Sequence, residues 1–202
     1  MRMMGCKGIE IQGTLVVKKG KDNVVVQRSK SETIGHWFLK VAGVVEMLRH
    51  GFESKDIEIE KQFKRGRTTC RADIYAKKTV KRKEVEVWLE CEQSPQLSSF
   101  SDKANKIRRV YQGRIIFLVY VEDFRNFVDS LYQKNGGENI KFEIRDAVPE
   151  NTEIWAIYLG TLPRAVCGLR RKHNKIIMLE GYWNREKLFR KPIYDKIEKL
   201  TM

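Results

Sequence analysis

Asp73, Glu90 and Glu92 sit in two apolar-rich runs joined by a basic turn, RADIYAKKTVKRKEVEVWLECEQ over residues 71–93. Side chains alternate across a strand, so Glu84, Glu86, Trp88, Glu90 and Glu92 share one face, and Val85, Val87, Leu89 and Cys91 the other. In the preceding run Ala72, Ile74 and Ala76 make an apolar side, which leaves Asp73 and Tyr75 on a polar one. A tight turn at Lys81–Arg82 sets residue 73 opposite residue 90, with Cβ atoms about 5 Å apart. Two carboxylates that close repel unless a cation neutralises them, and oxygen-only ligands suit Mg²⁺ or Mn²⁺. The plainer alternative is a solvated antiparallel face whose acids pair with cross-strand Lys or Arg. That alternative is preferred for Glu84 and Glu86.

The flanking segments decide where these strands lie. Residues 8–28 read as a β-hairpin around Lys19–Asn23. SETIGHWFLKVAGVVEMLRHGF reads as a helix with Ser31 as N-cap, Gly51 as its stop and Ile34, Trp37, Phe38, Val41, Val45 and Leu48 as its apolar stripe. DIEIEKQF is a short alternating strand. After the acidic hairpin, Leu97, Phe100, Ala104, Ile107 and Tyr111 mark one face of an amphipathic helix. RIIFLVYV over residues 114–121 is apolar on both faces, as a central strand is. A second amphipathic helix ends at the glycine pair 136–137, and EIWAIYLG is a further strand. The tail holds a hairpin around RRKHNK with the strand KIIMLE, then a helix that Pro192 delimits. The order predicts a single α/β domain with a mixed sheet: a core over about 31–160, an N-terminal hairpin 8–28 and a C-terminal β/α extension 161–202. A β-α-β crossover directly after the acids places them near the centre of that sheet.

The chain has 202 residues, and its 40 Lys+Arg against 26 Asp+Glu give a net charge of +14. Such an excess favours a polyanionic partner, nucleic acid or an anionic membrane. The sequence has no apolar run of the roughly 18 residues that a span needs, and MRMMGCKGIE lacks the apolar stretch of a secretory signal. The expectation is an intracellular, nucleic-acid-directed protein with no membrane role. Cys6, Cys70, Cys91 and Cys167 show no zinc spacing, so buried free thiols are expected.

Helix, three strands with Asp in the second and E-x-(K/E/Q) in the third, helix, strand: residues 31–121 resemble the PD-(D/E)XK nuclease superfamily. The resemblance is to its archaeal Holliday-junction-resolvase and RecB-like members in particular, including nucleases encoded by archaeal viruses. It implies a restriction-endonuclease-like αβββαβ core and Mg²⁺- or Mn²⁺-dependent hydrolysis of DNA phosphodiesters, with branched or recombination intermediates as candidate substrates. It further implies Asp73 and Glu90 as metal ligands, with the Cys91 backbone carbonyl beside them, and a homodimer. Glu92 replaces the family's usual lysine. Lys103 or Lys106 on the following helix would have to supply it, and Lys103 lies nearer the border of the apolar stripe. Many members carry an acid in the first helix. The candidates here, Glu32, His36 and Glu46, all lie away from the predicted stripe, where a solvated face is expected, and His36 is the one of the three retained as a candidate site residue. A catalytically silent nuclease fold that binds DNA or regulates is the alternative, and Glu92 argues for it. A peripheral membrane or protein-interaction module would explain the charge but not the internal acids.

Cations cluster at Lys61, Lys64, Arg65, Arg67 and Arg71, at Lys77, Lys78, Lys81, Arg82 and Lys83, and at Arg170, Arg171, Lys172 and Lys175. Lys64, Arg65, Arg67, Arg71, Lys81, Arg82, Arg170 and Arg171 are the candidate phosphate contacts. The first two clusters are expected to flank the acids. Trp88 is expected to pack, and His50 and His173 to lie on the surface.

Overall fold

The computed structural model describes residues 13–93, 99–134, 148–159, 163–172 and 175–180. The elements are β1 (Thr14–Lys19), β2 (Asp22–Gln27), α1 (Ile34–Arg49), β3 (Ile57–Arg65), β4 (Thr68–Val80), β5 (Lys83–Glu92), α2 (Ser99–Arg108), β6 (Arg114–Tyr120), α3 (Val121–Lys134), β7 (Thr152–Tyr158), β8 (Arg164–Lys172) and β9 (Lys175–Glu180). β1 and β2 form a separate hairpin, and the main sheet runs β3-β4-β5-β6-β7-β8-β9. β5, β6 and β7 are parallel, joined through α2 and α3, and the other neighbours are antiparallel. This is the expected α/β fold with a mixed sheet. Residues 8–12 of the hairpin, Cys6, Leu97, the glycine pair 136–137, His173 and the last helix with Pro192 lie outside the described residues.

Helices cover both faces of the sheet. α1 packs on Ile74, Ala76, Leu89, Cys91, Ile116 and Leu118. On the other face α2 and α3 bring Phe100, Ala104, Ile107, Phe124 and Phe127 against Tyr75, Trp88, Ile115, Phe117 and Val119. The β4–β5 face expected to be polar is therefore a second core. Phe63 lies 5.0 Å from Tyr75 and 4.7 Å from Trp88, ring centre to ring centre, and Trp88 lies 5.4 Å from Tyr111. β6 is buried on both sides, as its composition predicts. Cys70, Cys91 and Cys167 are buried free thiols. Among the described residues no helix is long and apolar enough to cross a membrane.

α1 departs from its predicted stripe. Its N-cap is Thr33, not Ser31: the Thr33 hydroxyl accepts from the His36 N–H, the N3 donor that a cap must satisfy. Ile34 is exposed, while Leu39, Lys40, Ala42, Gly43, Val44, Glu46 and Met47 are buried. A one-sided stripe presumes one-sided burial, and α1 is sandwiched. The Trp37 indole donates to the carbonyl of Val26 in the β1–β2 hairpin, and Gly43 faces the sheet. A Cβ at Gly43 would sit 2.5 Å from Ile74 Cδ1 and 2.6 Å from Leu118 Cδ1, so glycine permits this close approach. The Tyr120 hydroxyl donates to the Gly35 carbonyl at 2.5 Å and pins the first turn of α1 to the end of β6.

Candidate active site

Asp73 occupies a gap in the sheet. The β4–β5 ladder runs from Val80↔Lys83 to Ile74↔Leu89, the expected register, and stops one step short of pairing residue 73 with residue 90. Beyond Ile74 the pattern changes, and the Cys91 N–H donates to Asp73 Oδ2 at 2.8 Å. On the other side, the β3–β4 pairing passes from Ile59↔Ile74 to Lys61↔Ala72. Glu60, between them, has φ 57°, the left-handed region that a non-glycine residue enters only where its surroundings hold it there. The irregularity also upsets alternation. Cys70 and Ala72 pack in the same cluster as Tyr75, although strict alternation would put residues 72 and 75 on opposite faces.

Two residues of the α1 segment reach this gap, against the expectation of a solvated helix face. His36 Nε2 lies 3.2 Å from Asp73 Oδ2, and His36 Nδ1 lies 2.5 Å from Glu32 Oε1. The hydrogen bond and charge of Asp73 push the imidazole up to about 9, with Glu32 adding to them against the effect of burial. Behind His36, Lys40 is only 1% exposed, with Nζ 2.8 Å from Glu32 Oε1 and 2.7 Å from Glu60 Oε1. Burial alone would lower the Lys40 ammonium, but Glu32 and Glu60 hold it above its ordinary value. Burial likewise raises the Glu32 carboxyl, and Lys40, His36 and the Ser29 N–H together bring it below the usual range. Glu46, the third candidate on α1, is buried but structural. Its Oε1 accepts from Arg49 and from the Ala165 N–H, tying α1 to β8. It lies ten residues from His36, about 15 Å along the helix.

Glu90 and Glu92 belong to the α2 side. Glu90 Oε1 accepts from the Trp88 indole N–H at 2.6 Å. Burial first, then the charge of Asp73, pushes the Glu90 carboxyl well above the ordinary carboxylate range. Asp73 is thus close enough for its charge to act on Glu90, although burial is the larger cause. Glu92 is buried and ion-paired with Lys103 on α2. The Lys106 side chain is exposed, and its carbonyl accepts from the Cys70 thiol. Trp88 packs, as expected. The Cys91 thiol, on the α1 face, is pushed far up by burial, which leaves its main chain as the part that matters at the site.

The basic clusters divide. Lys64, Arg65 and Arg67 are exposed at the β3–β4 turn, and Arg71 Nε contacts Glu60 Oε2 at 2.7 Å. This turn rises past the end of β5 on the side of Asp73. Lys81 and Arg82 do not flank the acids: they are at the opposite end of β4, eight residues from Asp73, about 26 Å away at strand rise. Arg170 is bound to Glu153, which also takes a two-pronged contact from Arg114. Arg171 belongs to β8, and its side chain is outside the described set. His50 is exposed, as expected, with its ring tilted against Trp155 at 5.3 Å between centres.

Lys40 and Glu60 are the site residues that sequence reasoning missed. The available signal was a single lysine inside the apolar run HWFLKVAGVV, since a buried lysine demands carboxylate partners. Among the described residues no three His, Cys, Asp or Glu side chains form a group that could hold a metal ion. The residues that would hold a cation here are two carboxylates, Asp73 and Glu90, with the Cys91 carbonyl, an oxygen donor set of the kind that Mg²⁺ or Mn²⁺ takes. Compared with known proteins, the chain matches no protein-family model, no curated protein and no solved structure.

Proposed function

We propose that the chain is a metal-dependent nuclease of the PD-(D/E)XK kind, with a restriction-endonuclease-like core, that hydrolyses phosphodiester bonds in DNA. The observation that carries this reading is the place of Asp73 beside the end of β5, bonded to the Cys91 N–H, where its charge joins burial in raising the Glu90 carboxyl. The order α1-β3-β4-β5-α2-β6 around that opening supports it.

Asp73, Glu90 and the Cys91 carbonyl would hold the cation, which supplies Lewis acidity toward water and the phosphoryl oxygens. The protein's own groups prepare that place. The Cys91 N–H and His36 fix the Asp73 carboxylate, and Glu32 fixes His36 in turn. Trp88 holds one oxygen of Glu90. Lys103 stands beside Glu92 as the cation that the third position of the motif lacks, within reach of charge developing on a phosphate. Lys64, Arg65 and Arg67 offer phosphate contacts on the same side.

The ion pair between Glu92 and Lys103 also favours a second reading, a nuclease fold that binds DNA without cutting it. Incubating supercoiled plasmid and four-way-junction DNA with the protein in Mg²⁺, Mn²⁺ or EDTA separates the two. Cleavage in either metal and none in EDTA supports the enzyme. Binding with no cleavage in either metal supports the silent fold.

A further inference from the structure

The β4–β5 hairpin outruns its sheet. β3 begins at Ile57, paired with Ala76, and β6 begins at Arg114, paired with Val87. The four pairs Lys77↔Glu86, Lys78↔Val85, Thr79↔Glu84 and Val80↔Lys83 therefore have neither strand beside them. Four residues make a two-stranded ribbon about 14 Å long. Its root is fixed, because Lys78 Nζ donates to the His50 carbonyl at the end of α1 and lies 4.3 Å from the centre of the Phe52 ring.

The two acids of the ribbon share one cation from its root: Lys77 Nζ lies 2.9 Å from Glu84 and 3.1 Å from Glu86. Lys81, Arg82 and Lys83 at the tip are exposed and have no ion-pair partner among the described residues. The turn residues are also unusual. Lys81 has φ 49° and Arg82 φ 66°, a pair of left-handed positions that two-residue hairpins normally fill with Asn-Gly. Asn-Gly would fill those positions with less strain, and the chain has two cations there instead.

We infer that this ribbon is a second nucleic-acid contact, inserting its Lys81–Arg82–Lys83 tip into the major groove of duplex DNA, apart from the candidate active site. A major groove about 12 Å wide and 8.5 Å deep admits a two-stranded ribbon, and cations at the tip meet phosphates on its walls. The inference concerns binding and does not depend on cleavage.

The test uses the full chain in EDTA and a fluorescent 24-base-pair duplex, with anisotropy read from 50 to 200 mM salt. The paired substitution Lys81→Asn, Arg82→Gly removes two charges and relieves both strained positions, so its melting temperature should equal or exceed that of the wild type. A control, Lys18→Gln with Lys21→Gln, removes two charges from the β1–β2 hairpin. The ribbon variant should lower the log–log salt slope by roughly 1.8, so the wild type loses about tenfold more affinity than the variant across that range. The control should keep the wild-type slope. Equal slopes for ribbon variant and wild type overturn the inference, as do equal losses in ribbon variant and control. Ribbon-dependent binding to phosphatidylserine vesicles but not to the duplex overturns it in favour of a membrane contact. A protein that cuts nothing in Mg²⁺ or Mn²⁺ yet shows the ribbon effect loses the nuclease reading and keeps this one.

Discussion

The Cys91 N–H donates to Asp73 Oδ2 at 2.8 Å, just past the last paired residues of β4 and β5, Ile74 and Leu89. The carboxylate thus has a structural duty as well as a charge. Asp73→Asn keeps an acceptor for that N–H, whereas Asp73→Ala leaves a buried donor unsatisfied at a cost of about 1–3 kcal/mol. Urea unfolding should place Asp73→Asn within about 1 kcal/mol of the wild type and Asp73→Ala clearly below it. Both should have lost metal-dependent cleavage. Equal stability of the two variants would remove the hydrogen bond from the account.

Without metal, stability should fall as pH rises. His36 is raised from 6.5 to about 9 by Asp73 and Glu32, and Glu90 is raised from 4.5 by burial and Asp73. A group with a raised folded value contributes stability that is complete below its unfolded value and is lost as pH climbs through the folded one. For His36 that window is pH 6.5 to 9, and Glu90 adds a loss of the same sign beginning near 4.5. The melting temperature in EDTA should decline over pH 6.5–9, and His36→Gln should flatten the decline. Mn²⁺ binding should release protons, seen by calorimetry in two buffers of different ionisation enthalpy.

Lys40 joins α1 to the irregular β3 through Glu32 and Glu60. Replacing it with methionine keeps the packing and removes the cation that two carboxylates share, leaving the 5% exposed Glu32 with His36 and Glu60 with Arg71. Lys40→Met should destabilise by about 3 kcal/mol in urea unfolding. Adding Glu32→Gln should restore part of the loss. An unchanged unfolding midpoint in the single variant would show that the buried pair holds nothing together.

The order of elements and the register of the acidic hairpin were legible in the sequence because both follow from local patterns. Turn residues at 81–82 fix which residues oppose, and the shortness and β-branched content of RIIFLVYV favour a strand buried on two faces. What escaped was tertiary. The β1–β2 hairpin covers the back of α1, so its buried arc is wider than one stripe, and that turned Glu32, His36 and Lys40 toward the sheet. The polar face assigned to Tyr75 and Trp88 failed for the same reason, since α2 and Phe63 bury it. Separation along β4 was available by counting, and it places Lys81 and Arg82 far from Asp73.

Lys103 and Lys106 lie three residues apart on α2 with different surroundings: one meets Glu92, the other faces solvent. Single-turnover cleavage at saturating Mg²⁺ should slow at least tenfold in Lys103→Ala, the loss of one charge-stabilising group at the site. Lys106→Ala should match the wild type. Equal rates in both variants would leave Lys103 as a surface partner of Glu92 and nothing more.

The central claim is that Asp73 and Glu90 together make a cation-dependent phosphodiester-cleaving site. Glu90→Gln tests it most directly, because it removes the charge, keeps the shape and leaves an oxygen for the Trp88 indole. Single-turnover cleavage of plasmid DNA should be measured in Mg²⁺ and Mn²⁺ beside duplex affinity in EDTA. The account predicts cleavage by the wild type in metal only, none by Glu90→Gln, and duplex affinity in the variant equal to or slightly above wild type, since a carboxylate facing phosphate is gone. Wild-type cleavage rates in Glu90→Gln, or no cleavage by the folded, DNA-binding wild type in either metal, would contradict it.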